Sequence, residues 1–112
     1  VDASRILLTG MSDGGTFTYL AGLVGGPFTH LAPVSAAWHP MLLTMAEPAR
    51  LAALPVYITH GALDWMFAAD MARLAHAELS AAGADVTYRE IADLSHTYPR
   101  EENARIMDWF LS

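Results

Sequence analysis

A serine stands between two glycines near the start of the chain, in Gly-Met-Ser-Asp-Gly at residues 10–14. Gly-x-Ser-x-Gly is a weak pattern by itself, but it indicates a nucleophile when a strand precedes it and a helix follows. An apolar run at residues 5–9 and a helix-like segment meet that condition. We predict that Ser12 is a nucleophile and that the backbone N–H of Asp13 stabilises the negative charge developing on a substrate carbonyl.

Two further residues have the types and the chain order that would activate this serine. A serine nucleophile needs a base, and the base needs a carboxylate that orients it. Asp64 follows the apolar segment 55–59, and His96 follows the alternating segment 85–91. The carboxyl ends of parallel strands meet at one edge of a sheet, where catalytic groups gather. We therefore predict that Asp64 is the acid and His96 the base of this serine.

Other acidic residues and histidines fit these roles less well. Asp70 lies within a predicted helix and Asp93 only three residues before the proposed base, so both are alternative acids. The Asp13 side chain is expected to point away, as a solvated or helix-capping carboxylate. His60 precedes a turn glycine and is expected to pack against or orient the acid loop, and His39 is an alternative pocket residue. The remaining histidines are expected to lie in a loop or on a polar helix face: His30 and His76. No pair of histidines has zinc spacing, so we expect neither a metal nor another cofactor.

Large apolar residues adjoin these polar ones and are candidates for a substrate pocket. Trp65, Met66 and Phe67 follow the proposed acid directly, and Trp38 follows a predicted strand. We expect two of these four residues to pack in the core and the others to form an apolar acyl or alcohol pocket. We predict that Trp38 and Trp65 line that pocket, together with Met11 beside the serine.

The elements that must position these residues alternate between strand and helix. Apolar runs bounded by turn residues predict strands, and an apolar residue every three to four positions predicts helices. The predicted strands are residues 5–9, 31–36, 55–59 and 85–91, and the predicted helices are residues 14–24, 68–82 and a last one opened by Pro99. Residues 37–54 are expected to be mostly loop, with about one helical turn. This order predicts one α/β domain over residues 1–112, in three layers, with a mostly parallel sheet of about four strands and helices on both faces.

The composition excludes several classes of partner. The formal net charge is −6 and the six Lys and Arg residues are scattered, which argues against nucleic acid or an anionic membrane surface. No stretch approaches the roughly 18 consecutive apolar residues of a membrane span, and the start does not have the pattern of a signal peptide. The absence of cysteine slightly favours the cytoplasm. A phosphate-binding turn is disfavoured because neither Gly-x-Gly-x-x-Gly nor Gly-Lys-Ser/Thr is present.

The chain is also unusually apolar for its size. Hydrophobic residues make up 54% of it and charged residues 16%, whereas typical domains have about 25% charged residues. Small domains bury a smaller share of their surface than large ones and should be more polar. We therefore expect one face to be covered, either by a second copy in a homo-oligomer or by upstream sequence.

Three motifs together resemble the α/β-hydrolase fold esterases, in the phospholipase/carboxylesterase and polyhydroxyalkanoate-depolymerase-like branch. They are Val1 to Gly15, His60 to Asp64, and Ser95 to Pro99. The resemblance spans essentially the whole chain and corresponds to the C-terminal half of an α/β-hydrolase fold. These motifs are typical of the superfamily and do not specify a substrate.

The resemblance implies hydrolysis of small carboxylic esters through an acyl-enzyme, with Ser12 as nucleophile, Asp64 as acid and His96 as base. Such enzymes have further strands before the serine, and an early loop there provides a second donor to the oxyanion. Nothing in this sequence corresponds to that loop. The alternative is therefore a catalytically incomplete hydrolase fragment that acts as an assembly or interaction module. Acyl transfer and peptide cleavage use the same three residue types and remain open.

Overall fold

A four-stranded parallel sheet forms the centre of the structure, a computed structural model that describes residues 4–112. The strands are β1 (Leu7–Met11), β2 (His30–Val34), β3 (Pro55–Gly61) and β4 (Asp85–Ile91). They lie side by side in that order, and each pairs in parallel with the next. The predicted sheet of about four parallel strands is confirmed. Residues 1–3, which open the first motif, lie outside the described residues.

Helices cover both faces of this sheet, as the sequence predicts. They are α1 (Asp13–Val24), α2 (Met41–Thr44), α3 (Pro48–Leu51), α4 (Ala69–Ala81) and α5 (Asn103–Leu111), with a 3₁₀ turn at Arg100–Glu102 before the last. α1 and α4 pack on one face of the sheet, and α5 packs on the other. None of the helices in residues 4–112 has the length and apolar character needed to cross a membrane.

Alternation along the strands divides the core between the two faces. Leu31, Val56 and Ile58 point toward α1 and α4, into a cluster that also contains Tyr19 and Leu79. The intervening strand residues Ala32, Val34 and Tyr57 point toward α5 and form a smaller cluster with Ile106 of that helix. Successive strand residues face opposite sides, and both sides are apolar because both are covered by helices.

The boundaries of several predicted elements differ from the structure: β2 is His30–Val34 rather than 31–36, and β3 extends to Gly61 rather than ending at residue 59. β1 begins at Leu7 rather than Arg5, because Ile6 instead exchanges hydrogen bonds with Thr29 in the connection to β2. The segment 37–54, expected to hold about one helical turn, contains both α2 and α3. The last helix is preceded by a separate 3₁₀ turn that follows Pro99.

Candidate active site

Ser12 lies at the sharp turn between β1 and α1 with a strained backbone. Its φ of 58° and ψ of −118° are unusual for a residue with a side chain, and such a conformation costs about 1–3 kcal/mol. Hydrogen bonds on both sides maintain it. The N–H of Ser12 donates to the Val34 carbonyl at 2.9 Å, and the N–H of Thr16 donates to the Ser12 carbonyl at 2.9 Å. The turn thus holds the serine at the carboxyl edge of the sheet.

Two glycines make this turn sterically possible. A Cβ on Gly10 would lie 2.5 Å from the carbonyl oxygen of Gly14, and a Cβ on Gly15 would lie 2.8 Å from both Ala36 Cβ and the Val34 carbonyl oxygen. A Cβ on Gly14 would meet nothing within 4 Å. The turn therefore needs glycine at positions 10 and 15 and not at 14, because the first turn of α1 passes close over β2 at Gly15.

His96 joins Ser12 to Asp64 in a continuous line of hydrogen bonds. Its Nε2 is 2.9 Å from Ser12 Oγ, and its Nδ1 is 2.8 Å from Asp64 Oδ2. An ionised carboxylate can only accept, so Nδ1 carries the ring proton and Nε2 is left to accept from the serine hydroxyl. The structure thus brings together the three residues that the sequence singles out, in the orientation that activates a serine hydroxyl.

Hydrogen bonds from its own loop help to keep Asp64 ionised. Asp64 Oδ1 accepts hydrogen bonds from the backbone N–H groups of Met66 at 2.9 Å and Phe67 at 2.8 Å. Burial alone would raise the pKa of Asp64, but the hydrogen bonds from His96, Phe67 and Met66 outweigh burial and lower that pKa. The carboxylate therefore carries its charge at neutral pH, although its side chain is fully buried.

His60 is buried directly behind this loop. Its Nε2 lies 2.7 Å from the Phe67 carbonyl oxygen, to which it donates, and 3.4 Å from Asp64 Oδ2. The contact agrees with the expected role of His60 in orienting the acid loop.

Contacts between the loops after β3 and β4 bring the acid and the base together. The N–H of Ala62 donates to the Ile91 carbonyl at 2.9 Å, and that of Leu63 donates to the Leu94 carbonyl at 3.0 Å. The loops approach so closely that a Cβ on Gly61 would lie 2.2 Å from the Leu94 carbonyl oxygen. The sequence signal for this role is weak, because it consists only of a glycine near the C-terminal end of a strand.

The three predicted pocket residues have different surroundings. Trp38 is buried in the core, where its Nε1 donates to Glu78 Oε1 at 2.7 Å, so its prediction as a pocket residue is wrong. Met11 is half-buried and packs with the α5-facing cluster. Trp65 is 73% exposed, and its ring centroid lies 5.9 Å from that of His96. Of the four candidates for core packing, Trp38 and the half-buried Phe67 are inside, whereas Trp65 and Met66 are exposed.

The alternative acids do not approach the base. Asp70 is exposed on α4 and pairs with Arg73, and Asp93 is exposed on the loop after β4. The Asp13 side chain is also exposed, as expected. Asp13 is the first residue of α1, so its backbone N–H has no acceptor within the helix and lies at the positive end of the helix dipole.

The other histidines are in separate places. His39 is exposed, and its Nδ1 accepts from the Met41 N–H. His76 stacks on Tyr88 beside the β4 edge of the sheet. His30 begins β2 rather than lying in a loop, between the rings of Trp109 and Phe110. Within residues 4–112, no group of three potential ligands lies close enough to hold a metal ion, and no enclosed cavity adjoins the serine.

Comparison with solved structures identifies the fold. A single-residue variant of SOBER1 from Arabidopsis thaliana matches 99% of this chain and 54% of its own, with a TM-score of 0.82 and 20% identity. Esterase PE8 matches 99% of this chain and 51% of its own, with a TM-score of 0.76 and 20% identity. Acyl-protein thioesterase 2 from Zea mays matches 92% of this chain and 53% of its own, with a TM-score of 0.77 and 16% identity.

The chain therefore has an α/β-hydrolase fold and spans about half the length of the solved structures that it matches. The fold class predicted from the sequence is confirmed. No family model and no curated protein matches the sequence.

Proposed function

We propose that this chain is the catalytic part of a serine hydrolase that cleaves carboxylic esters through an acyl-enzyme. One observation carries the proposal: Ser12 Oγ, His96 and Asp64 are joined by hydrogen bonds of 2.9 Å and 2.8 Å at a strained turn. Backbone strain at a residue whose side chain can react is typical of functional sites. Fold neighbours with esterase and thioesterase in their names support the proposal.

In the first half of the proposed reaction, Ser12 Oγ attacks the ester carbonyl carbon as its proton passes to His96 Nε2. The carbonyl oxygen becomes negative, and the Asp13 N–H donates to it at the positive end of α1. The bond from the carbonyl carbon to the alcohol oxygen then breaks, and that oxygen takes the proton from His96. An alcohol leaves, and an acyl group remains on Ser12.

In the second half, water occupies the position of the departed alcohol. His96 Nε2 takes a proton from the water as its oxygen attacks the acyl carbon. The bond from that carbon to Ser12 Oγ breaks, Ser12 recovers the proton, and a carboxylic acid leaves. The buried charge of Asp64 stabilises the protonated His96 ring in both halves.

Labelling of the serine tests this proposal. The 112-residue chain is treated with a fluorophosphonate probe and with p-nitrophenyl acetate, alongside Ser12→Ala and Ser80→Ala, which removes an exposed hydroxyl on α4. We expect the wild-type chain and Ser80→Ala to be labelled and to release p-nitrophenol, and Ser12→Ala to do neither. Absence of labelling in the wild-type chain, or equal labelling of Ser12→Ala, would contradict the proposal.

The apolar surface of the chain favours a second candidate, an assembly or interaction module. Phe17, Leu20 and Val24 are exposed along one side of α1, and the outer edge of β1 pairs with no strand in residues 4–112. Such surfaces bind other chains. A self-associated chain that resists the fluorophosphonate probe would favour this candidate, and a labelled monomer would exclude it.

A further inference from the structure

Trp65 is the most exposed large apolar side chain in residues 4–112, and it adjoins His96. It is 73% exposed, and its ring meets the His96 ring edge-on, with centroids 5.9 Å apart and planes at 70°. A tryptophan in water beside a reactive group has a large apolar surface that folding leaves uncovered. This surface is therefore free to contact a bound molecule.

The second aromatic ring at His96, that of Phe67, is less exposed. Phe67 also meets the His96 ring edge-on, with centroids 5.5 Å apart, but it is half-buried. Its N–H donates to Asp64 and its carbonyl accepts from His60. Of the two aromatic side chains that contact His96, Trp65 thus leaves the larger uncovered surface for a substrate.

The position of Trp65 is fixed by the acid loop. The residue on its N-terminal side is Asp64, and the two on its C-terminal side donate their N–H groups to Asp64 Oδ1. The same turn that holds the carboxylate against His96 therefore holds the tryptophan backbone. Because this backbone is already ordered, Trp65 loses little additional conformational entropy when a ligand covers its ring.

The proposed reaction determines which part of an ester lies beside this ring. The alcohol oxygen must come within hydrogen-bond distance of His96 Nε2 to receive its proton. The acyl group, by contrast, stays bonded to Ser12 Oγ after the alcohol has left. The alcohol portion is therefore the part of the substrate that lies along the His96 ring.

We propose that Trp65 contacts the leaving group and selects esters whose alcohol is aromatic or bulky and apolar. The inference rests on the proposed function, because His96 must deliver the proton to that alcohol. It assigns Trp65 to the alcohol side of the substrate, and it leaves the acyl side to other residues.

Two acetate esters of similar chemical reactivity test the assignment: ethyl acetate and 2-(1-naphthyl)ethyl acetate. Both give the same acetyl-enzyme, so a difference between them arises before the alcohol leaves. We expect Trp65→Ala to lower the ratio of kcat/KM for the naphthylethyl ester over ethyl acetate by roughly tenfold. We expect Trp65→Phe to restore most of the ratio. Trp38→Phe, which changes a buried tryptophan, should keep the ratio of the wild-type chain.

A binding measurement separates this inference from the proposed function. 2-(1-Naphthyl)ethanol is titrated with Ser12→Ala and with Ser12→Ala combined with Trp65→Ala, and binding to both is followed by the broadening of the ligand's own naphthyl proton signals. The indole N–H signal of Trp65 is followed in Ser12→Ala alone. We expect the Trp65 signal to move and the added substitution to weaken binding by roughly tenfold. Equal binding by both variants, or an unchanged ester ratio in Trp65→Ala, would overturn the inference, whereas loss of all labelling at Ser12 would overturn the proposed function.

Discussion

At the scale of single residues, the buried charge of Asp64 is the feature on which the site depends. Its two oxygens have separate partners: Oδ1 accepts from the loop N–H groups, and Oδ2 accepts from His96 Nδ1. The loop bonds fix the carboxylate, and the remaining oxygen fixes the tautomer of the histidine. In the proposed reaction the carboxylate therefore has two roles, since it orients the base and stabilises the positive charge of the base.

Asp64→Asn should abolish most of the activity while preserving the fold. The amide oxygen would take the two loop N–H groups, so its NH₂ would face His96 Nδ1 and force the ring proton onto Nε2. That nitrogen could then no longer accept from Ser12. We expect kcat to fall by roughly 10³–10⁴-fold. Asp70→Asn, which changes the exposed alternative acid, is the control, and an equal effect of the two substitutions on p-nitrophenyl acetate hydrolysis would refute the assignment.

The lowered pKa of Asp64 also predicts how stability depends on pH. The ordinary value is 3.8, and the folded value lies below it, so the folded chain binds fewer protons than the unfolded chain in this range. The stabilisation from Asp64 is complete above pH 3.8 and is lost as pH falls through the folded pKa. In urea unfolding, the difference in unfolding free energy between wild type and Asp64→Asn should stay constant near neutral pH and shrink as pH falls below 3.8. A difference that grew on acidification would contradict the lowered pKa.

At the scale of elements, the crossing of α1 over β2 determines where the turn can carry a side chain. The N–H of Ala37 donates to Thr16 Oγ1 at 3.0 Å, which ties the first turn of α1 to the chain after β2. Gly15 lies at the point of closest approach, with the β2 backbone against it. A Cβ on Gly14 would extend into open space. A side chain can therefore be accommodated at position 14 but not at position 15.

Substitution of these two glycines should have opposite effects. In Gly15→Ala the new Cβ would press on the Val34 carbonyl and Ala36, and such overpacking costs about 1–3 kcal/mol. In Gly14→Ala the new Cβ meets no neighbour, and the better helix propensity of alanine adds up to about 1 kcal/mol. Thermal unfolding of the two variants measures the contrast. Equal destabilisation by both would show that the crossing of α1 over β2 is wrong.

The local pattern of the sequence predicts the elements and the three residues that meet at the candidate site, since both depend on short-range features. Ser12, Asp64 and His96 each follow a strand, and parallel strands bring such positions to one edge. The local pattern does not predict contacts between residues that are distant in the sequence. The sequence predicts Trp38 in the pocket because no local feature reveals its hydrogen bond to Glu78, which is 40 residues away on a different element. The need for glycine at position 15 also depends on a distant residue, because its neighbour Ala36 belongs to the chain after β2.

At the scale of the whole molecule, the chain is as compact as a typical domain of its length and exposes many large apolar side chains. Its radius of gyration is 12.9 Å, close to the ~13 Å typical of a domain of about this length. Apolar side chains remain exposed on both helical layers: Phe17, Leu20 and Val24 on α1, and Met107 and Leu111 on α5. β1 adds an apolar edge that is paired on one side only in the described residues. Part of the high hydrophobic content of the sequence therefore lies on the surface of the structure.

This surface predicts that the 112-residue chain associates with itself in solution. Apolar area of this kind gains about 25 cal/mol per Å² when it is removed from water, and contact with a second copy removes it. Phe17→Gln combined with Val24→Gln should shift the chain toward a monomer in sedimentation velocity. Because both side chains are already exposed, the free energy of unfolding of the monomer should change by no more than about 0.5 kcal/mol for each substitution. Leu74→Gln, at an exposed leucine on α4, is the control and should leave association unchanged. A chain that stays monomeric at all concentrations would show that exposed apolar area on α1 does not drive assembly.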